Sequence, residues 1–69
     1  MELDLHGIRH YQVDYTVENF ILCNQEKLPL KIVCGNSQKM IDLTNEVINR
    51  IKCSDVSMDR YGIIVIRKI

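Results

Sequence analysis

Two short stretches carry residue types that can do chemistry: LDLHG at residues 3–7 and CGNSQKM at residues 34–40. In the first, Asp4 and His6 stand two positions apart. Histidine changes charge near neutral pH, and a neighbouring carboxylate favours its charged form and fixes its orientation. Alternate side chains of a strand share a face, so Asp4 and His6 would point one way and Leu3 and Leu5 the other. Such a pair suits general acid–base work where a substrate can reach it. A polar strand face also carries Asp and His with no reaction to perform.

In the second stretch an apolar segment, LKIVC, runs through Gly35 towards a helical pattern. Free backbone amides at a helix N-terminus attract anionic oxygens. Lys39 falls in the first helical turn, where the dipole disfavours a cation unless an anion lies nearby. As a lone surface lysine it costs only about a few tenths of a kcal/mol and needs no ligand to explain it. The spacing of Gly35 and Lys39 is not that of a nucleotide phosphate loop, which needs more glycines at fixed positions.

The elements that must position these residues follow from periodicity. ELDLH alternates polar and apolar residues, the period-2 signature of a half-buried strand, and Gly7 ends it. VDYTVENFILCNQEK sets Val13, Val17, Phe20, Ile21 and Asn24 at helical spacing, and Leu28-Pro29 closes that helix. LKIVC reads as a second strand and GNS as a turn. The next helix, QKMIDLTNEVINRI, carries an apolar stripe of Met40, Ile41, Thr44, Val47, Ile48 and Ile51. Asn36 or Ser37 is placed to cap it, and Arg50 and Lys52 suit the negative end of its dipole. VSM is a weak strand, DRYG a turn, and IIVIRKI a β-branched final strand.

The order strand, helix, strand, helix, strand, strand predicts a two-layer α/β domain with a mixed four-stranded sheet. Right-handed crossovers put both helices on one face, and the short last connection makes a hairpin. His6-Gly7 and Cys34-Gly35 then meet at the carboxyl ends of parallel strands, where open α/β sheets bind ligands. Phe20, Val17, Ile48 and Ile51 should pack on Leu3, Leu5, Ile32 and the final strand. IIVI is expected at a sheet edge, and pairing of that edge would make a homodimer of an otherwise monomeric chain.

Composition narrows the classes. The 69 residues are 46% hydrophobic and 26% charged, with nine basic and nine acidic side chains and zero net charge. That suits one domain over residues 1–69 and argues against a coat protein held on nucleic acid mainly by charge. Acids dominate residues 1–46 and bases residues 50–69, which leaves room for a local basic surface. No apolar run reaches the ~20 residues that span a bilayer, and no membrane partner is expected. MELDLH carries no basic or apolar leader, and the expected compartment is the cytoplasm. Cys23, Cys34 and Cys53 are odd in number and widely spaced, which predicts free thiols. Cys34 as a nucleophile with His6 as its base is geometrically conceivable, but a cysteine ending a buried strand is more often an apolar filler. A zinc site from His6, His10 and Cys34 has no support from ligand spacing.

LDLHG, the amphipathic helix after it, LKIVCG with its turn and helix, and the terminal YGIIVIRKI together resemble the small MutS-related (Smr) domain over essentially the whole chain. The resemblance implies an α/β sandwich, binding to DNA or RNA and, in some members, metal-assisted endonuclease activity, with Mg²⁺ or Mn²⁺ the cofactor to test. Its Asp-x-His motif is intact as Asp4 and His6. Its second motif, a His or Thr followed by Gly-x-Gly, reads Cys34-Gly35-Asn36-Ser37, so only Gly35 survives. A serine at position 37 adds a Cβ where the backbone is expected near a phosphate, whereas Asn36 tolerates a left-handed conformation.

The leading expectation is a nucleic-acid-binding protein with Smr-type endonuclease activity. Asp4 and His6 would be catalytic, with phosphate held by Gly35, Asn36, Ser37 and Lys39, and Arg9, with His10, against the backbone. The alternative is a nucleic-acid-binding or protein-interaction module without catalysis, which the altered turn and the neutral charge favour. Tyr11, Tyr15 and Tyr61 are candidates for stacking on bases.

Overall fold

Short β-branched runs separated by two amphipathic segments give the chain one way to bury its apolar surface: sheet against helices. The computed structural model describes residues 1–69 and has that arrangement. In chain order it contains β1 (Glu2–Asp4), α1 (His10–Cys23), β2 (Leu30–Val33), α2 (Gln38–Ile51), β3 (Asp55–Arg60) and β4 (Ile63–Lys68). The sheet runs β1-β2-β4-β3. β1 and β2 are parallel, and β4 is antiparallel to both of its neighbours. The result is a two-layer α/β fold with a mixed four-stranded sheet and both helices on one face. No helix is long and apolar enough to cross a membrane.

The core lies between the layers. Leu5, Leu30, Ile32, Ile64 and Ile66 from the sheet side meet Val13, Val17 and Ile21 of α1 and Met40, Ile41, Val47 and Ile48 of α2. Phe20, Ile51 and Leu3 pack on this cluster while half-exposed, as the apolar stripes predict. Fully burying a side chain of this size stabilises the fold by about 1.5–3 kcal/mol, so this cluster dominates the energetics. Outside it, the Arg50 guanidinium of α2 donates to Asp14 and, at 3.1 Å, to Glu18, both on α1. The hydrogen bond from Arg50 holds the Asp14 carboxyl below its ordinary range.

Three details differ from the periodicity. The final strand is not an edge: β4 sits between β2 and β3, with Ile64, Val65 and Ile66 buried. Its apolar residues lie on both faces: Ile64 and Ile66 are in the core, while on the open face the neighbouring strands shield Val65 and leave Ile63 half-exposed. The edges are β1 and the polar β3, and β3 carries the outward charges that blunt an exposed edge. The first helix starts at His10, three residues before the first apolar stripe position, and Arg9 is its N-cap. Gln12 Oε1 accepts from the Arg9 backbone N–H at 3.0 Å, which anchors that start. At the other end the Asn24 amide donates to the Phe20 carbonyl at 2.7 Å, and a single 3₁₀ turn, Gln25–Lys27, leads to the cis Leu28–Pro29 peptide.

α2 is bounded more tightly. Of the two cap candidates Ser37 does the work, its hydroxyl accepting from the Met40 N–H at 3.2 Å. At the far end Lys52 takes a left-handed conformation, φ 68°, and its N–H donates to the Ile48 carbonyl. A residue with a Cβ pays about 1–2 kcal/mol for that conformation, and glycine does not. Lys52→Gly is therefore expected to raise unfolding stability by about 0.5–1 kcal/mol, after loss of the favourable charge at the helix end. Lys52→Ala loses the charge and keeps the strain, so it should give no gain. Denaturant unfolding of the two variants against the parent checks the order.

Candidate functional site

The carboxyl ends of β1 and β2 come together because the two strands are parallel neighbours, with Asp4 opposite Val33 in the register. Beyond that pair the ladder extends by one bond, from the Leu5 N–H to the Val33 carbonyl at 2.9 Å. The chain then turns. His6 lies in this turn rather than in the strand, and Gly7 completes it with φ +82°.

Asp4 closes the turn. Its Oδ1 accepts from the His6 backbone N–H at 2.9 Å, so the carboxylate holds the main chain of His6 and makes no bond to the imidazole. Both side chains are exposed. The spacing of two that suggested a carboxylate–imidazole pair is used for a local side-chain-to-backbone bond, a common role of Asp before a turn. Asp4 is thus a positioning group for the turn that presents His6.

Asp4, His6, Val33, Cys34 and Gly35 line one shallow depression of ≈ 230 Å³. The structure therefore unites three of the expected site residues: Asp4, His6 and Gly35. Ser37 and Lys39 lie on α2 or at its cap, and Asn36 precedes them, exposed; none of the three lines the depression. The serine hydroxyl is committed to capping, and its φ of −110° needs no glycine. The left-handed residue of this turn is Gly35, φ +73°. Arg9 and His10 border a separate open hollow with Gly7, Ile8 and Tyr11.

Gly62 is the residue that motif reasoning missed. It sits in the β3–β4 turn with φ +87°, and a Cβ there would stand 2.1 Å from the Gly35 carbonyl oxygen. The Gly62 carbonyl accepts from the Cys34 N–H at 2.6 Å, so the hairpin tip is fastened to the end of β2. Tyr61 adds a second fastening, donating its hydroxyl hydrogen to Gln38 Oε1 at 2.9 Å. The only sequence signal was a tyrosine–glycine pair between apolar runs, which reads as a turn and says nothing of its neighbour.

Cys34 behaves as core. It is 7% exposed and its thiol donates to the fully buried Thr44 hydroxyl at 3.5 Å. Burial pushes the Cys34 thiol up from its ordinary range, against the needs of a nucleophile. No three His, Cys, Asp or Glu side chains converge to hold a metal ion, so His6, His10 and Cys34 form no such group. Asp4 is the one carboxylate in the depression and spends one oxygen on the turn. Magnesium keeps several waters and binds through one or two carboxylates together with substrate phosphate, so Asp4 alone would hold Mg²⁺ or Mn²⁺ only with a phosphate beside it.

Two outcomes follow from these contacts. Gly62→Ala is expected to cost about 2 kcal/mol or more, from the clash added to left-handed strain, whereas Gly7→Ala has open space and pays only about 1–2 kcal/mol of strain. Urea unfolding of both variants measures the difference. Iodoacetamide should modify exposed Cys23 first and Cys34 last. Because the Cys34 thiol keeps its proton to higher pH, its rate should still be rising at pH values where that of free N-acetylcysteine has levelled off, as peptide mass mapping can follow.

Comparison with protein-family models, with curated proteins and with solved structures yields no match to this chain.

Proposed function

We propose that this chain is an Smr-like nucleic-acid-binding domain that engages a phosphodiester at the carboxyl ends of β1 and β2. The observation that carries the reading is the shared depression of Asp4, His6 and Gly35. It lies at the edge where open α/β sheets take their ligands, and LDLHG supplies the resemblance. A phosphate oxygen against the Gly35 turn would leave the His6 imidazole free to accept or give a proton, since Asp4 holds only its backbone. Arg9, in the loop after β1, and Lys39, in the first turn of α2, are exposed cations outside every ion pair and supply charge on either side of the depression.

Binding without cleavage is the second reading, and two observations favour it. Asp4 makes no bond to the imidazole, and no three metal-ligating side chains converge on the depression. The two readings part on one experiment. The protein is incubated with nicked and branched DNA, single-stranded DNA and structured RNA, with and without Mg²⁺ or Mn²⁺. An endonuclease forms product, and His6→Ala lowers its rate about a hundredfold or more. Cleavage undiminished in His6→Ala and Asp4→Ala overturns the assigned roles. A binding module retards the nucleic acid in a salt-dependent way with no product, and Lys39→Ala lowers the salt slope by about one. No retardation of any nucleic acid overturns both and points to a protein partner.

A further inference from the structure

The tip of the β3–β4 hairpin stands against the Gly35 turn and carries an unpaired cation and an aromatic ring whose face is exposed. Arg60 is exposed and belongs to none of the ion pairs, which are made by Arg50 and Arg67. The Tyr61 ring is 55% exposed, and its hydroxyl is tied to Gln38 at 2.9 Å, so the ring is both accessible and held in place.

The strand register connects this tip to the depression. Asp4 stands opposite Val33 and Val33 opposite Ile63, and these three share a face. Arg60 stands opposite Ile63 at the end of the row, where a β-bulge after Met58 sets both Asp59 and Arg60 against that one residue. That face is the open one, because the next positions, Ile32 and Ile64, are in the core. Three strand spacings separate the ends of this row, about 14 Å. Between its polar ends, Asp4 and Arg60, lie the half-exposed apolar side chains Val33 and Ile63.

We infer that the preferred substrate of this site is a single strand of nucleic acid, laid along the row from Asp4 to Arg60 with a base stacked on Tyr61. The inference rests on the phosphodiester reading above and names the strand state that reading leaves open. An unpaired strand offers bases and phosphates together, and this row offers apolar surface, a cation and a ring face together. A duplex presents its phosphates outward and hides its base faces, so Val33, Ile63 and the Tyr61 ring would have nothing to receive. The zero net charge does not supply the broad positive surface a duplex backbone rewards.

The test is fluorescence anisotropy with labelled oligo(U) and oligo(dT), and with RNA and DNA duplexes of the same length. Single strands should bind about tenfold or more tighter than either duplex. Tyr61→Ala should lower single-strand affinity about tenfold, while Tyr61→Phe, which keeps the ring, stays close to the parent. Arg60→Ala should flatten the salt dependence by about one unit of slope. Circular dichroism and urea unfolding establish that each variant is folded. Duplex binding as tight as single-strand binding overturns the inference and leaves the phosphodiester reading standing. Tight single-strand binding that Tyr61→Ala and Arg60→Ala both leave unchanged overturns the assignment to the hairpin tip. No binding to any of the four probes overturns the phosphodiester reading and the inference with it.

Discussion

The backbone hydrogen bond from the Cys34 N–H to the Gly62 carbonyl, closed over two glycines, is the contact that fastens the turn after β2 to the tip of the last hairpin. It joins the end of β2 to the far hairpin across a long stretch of chain. Only a residue without a Cβ fits at position 62, because the Gly35 oxygen occupies that space. Through this contact the turn after β2, the start of α2 and the tip that bears Arg60 and Tyr61 become one rigid corner. The second bond, from Tyr61 to Gln38, braces the corner from the helix side.

That corner depends in turn on the interior placement of β4. A strand read as IIVI is apolar on both faces, and strands on either side shield its open-face Val65 from water better than an edge position would. With β4 between β2 and β3, the hairpin turn is carried to the carboxyl end of β2, next to the Gly35 turn. Had β4 been the edge, β3 would have paired with β2 in its place, and its charged residues would have been drawn into the sheet. The same hydrophobic economy that stabilises the fold therefore also assembles the candidate site.

The site itself is a lesson in how a motif can be used. Asp4 and His6 are near each other and share the depression, yet the carboxylate serves the main chain of the turn. A side chain two residues from a turn amide finds that amide first, because the bond is local and costs little chain entropy to form. Ser37 shows the same logic: its hydroxyl is consumed by the helix start. Cys34, adjacent to the depression, turns its sulfur inwards to Thr44 and is held protonated by burial. What remains free to meet a ligand is the His6 imidazole, the Gly35 turn and the unpaired cations around them, Arg9, Lys39 and Arg60.

Local pattern by itself determined the element types, their order, the two apolar stripes and the α/β class, because these depend on periodicities of two and about 3.6 residues that are written in the chain. It also determined that the Gly7 and Gly35 turns would share an edge, because a helical crossover makes β1 and β2 parallel. Tertiary structure alone decided that β4 is central, that Arg9 caps a helix, that His6 leaves the strand and that Gly62 sits against Gly35. Each of these depends on a partner distant in sequence or on competition between alternative bonds for one group. Such choices are made by the energy of the assembled fold, and no short window of residues contains the partner that settles them.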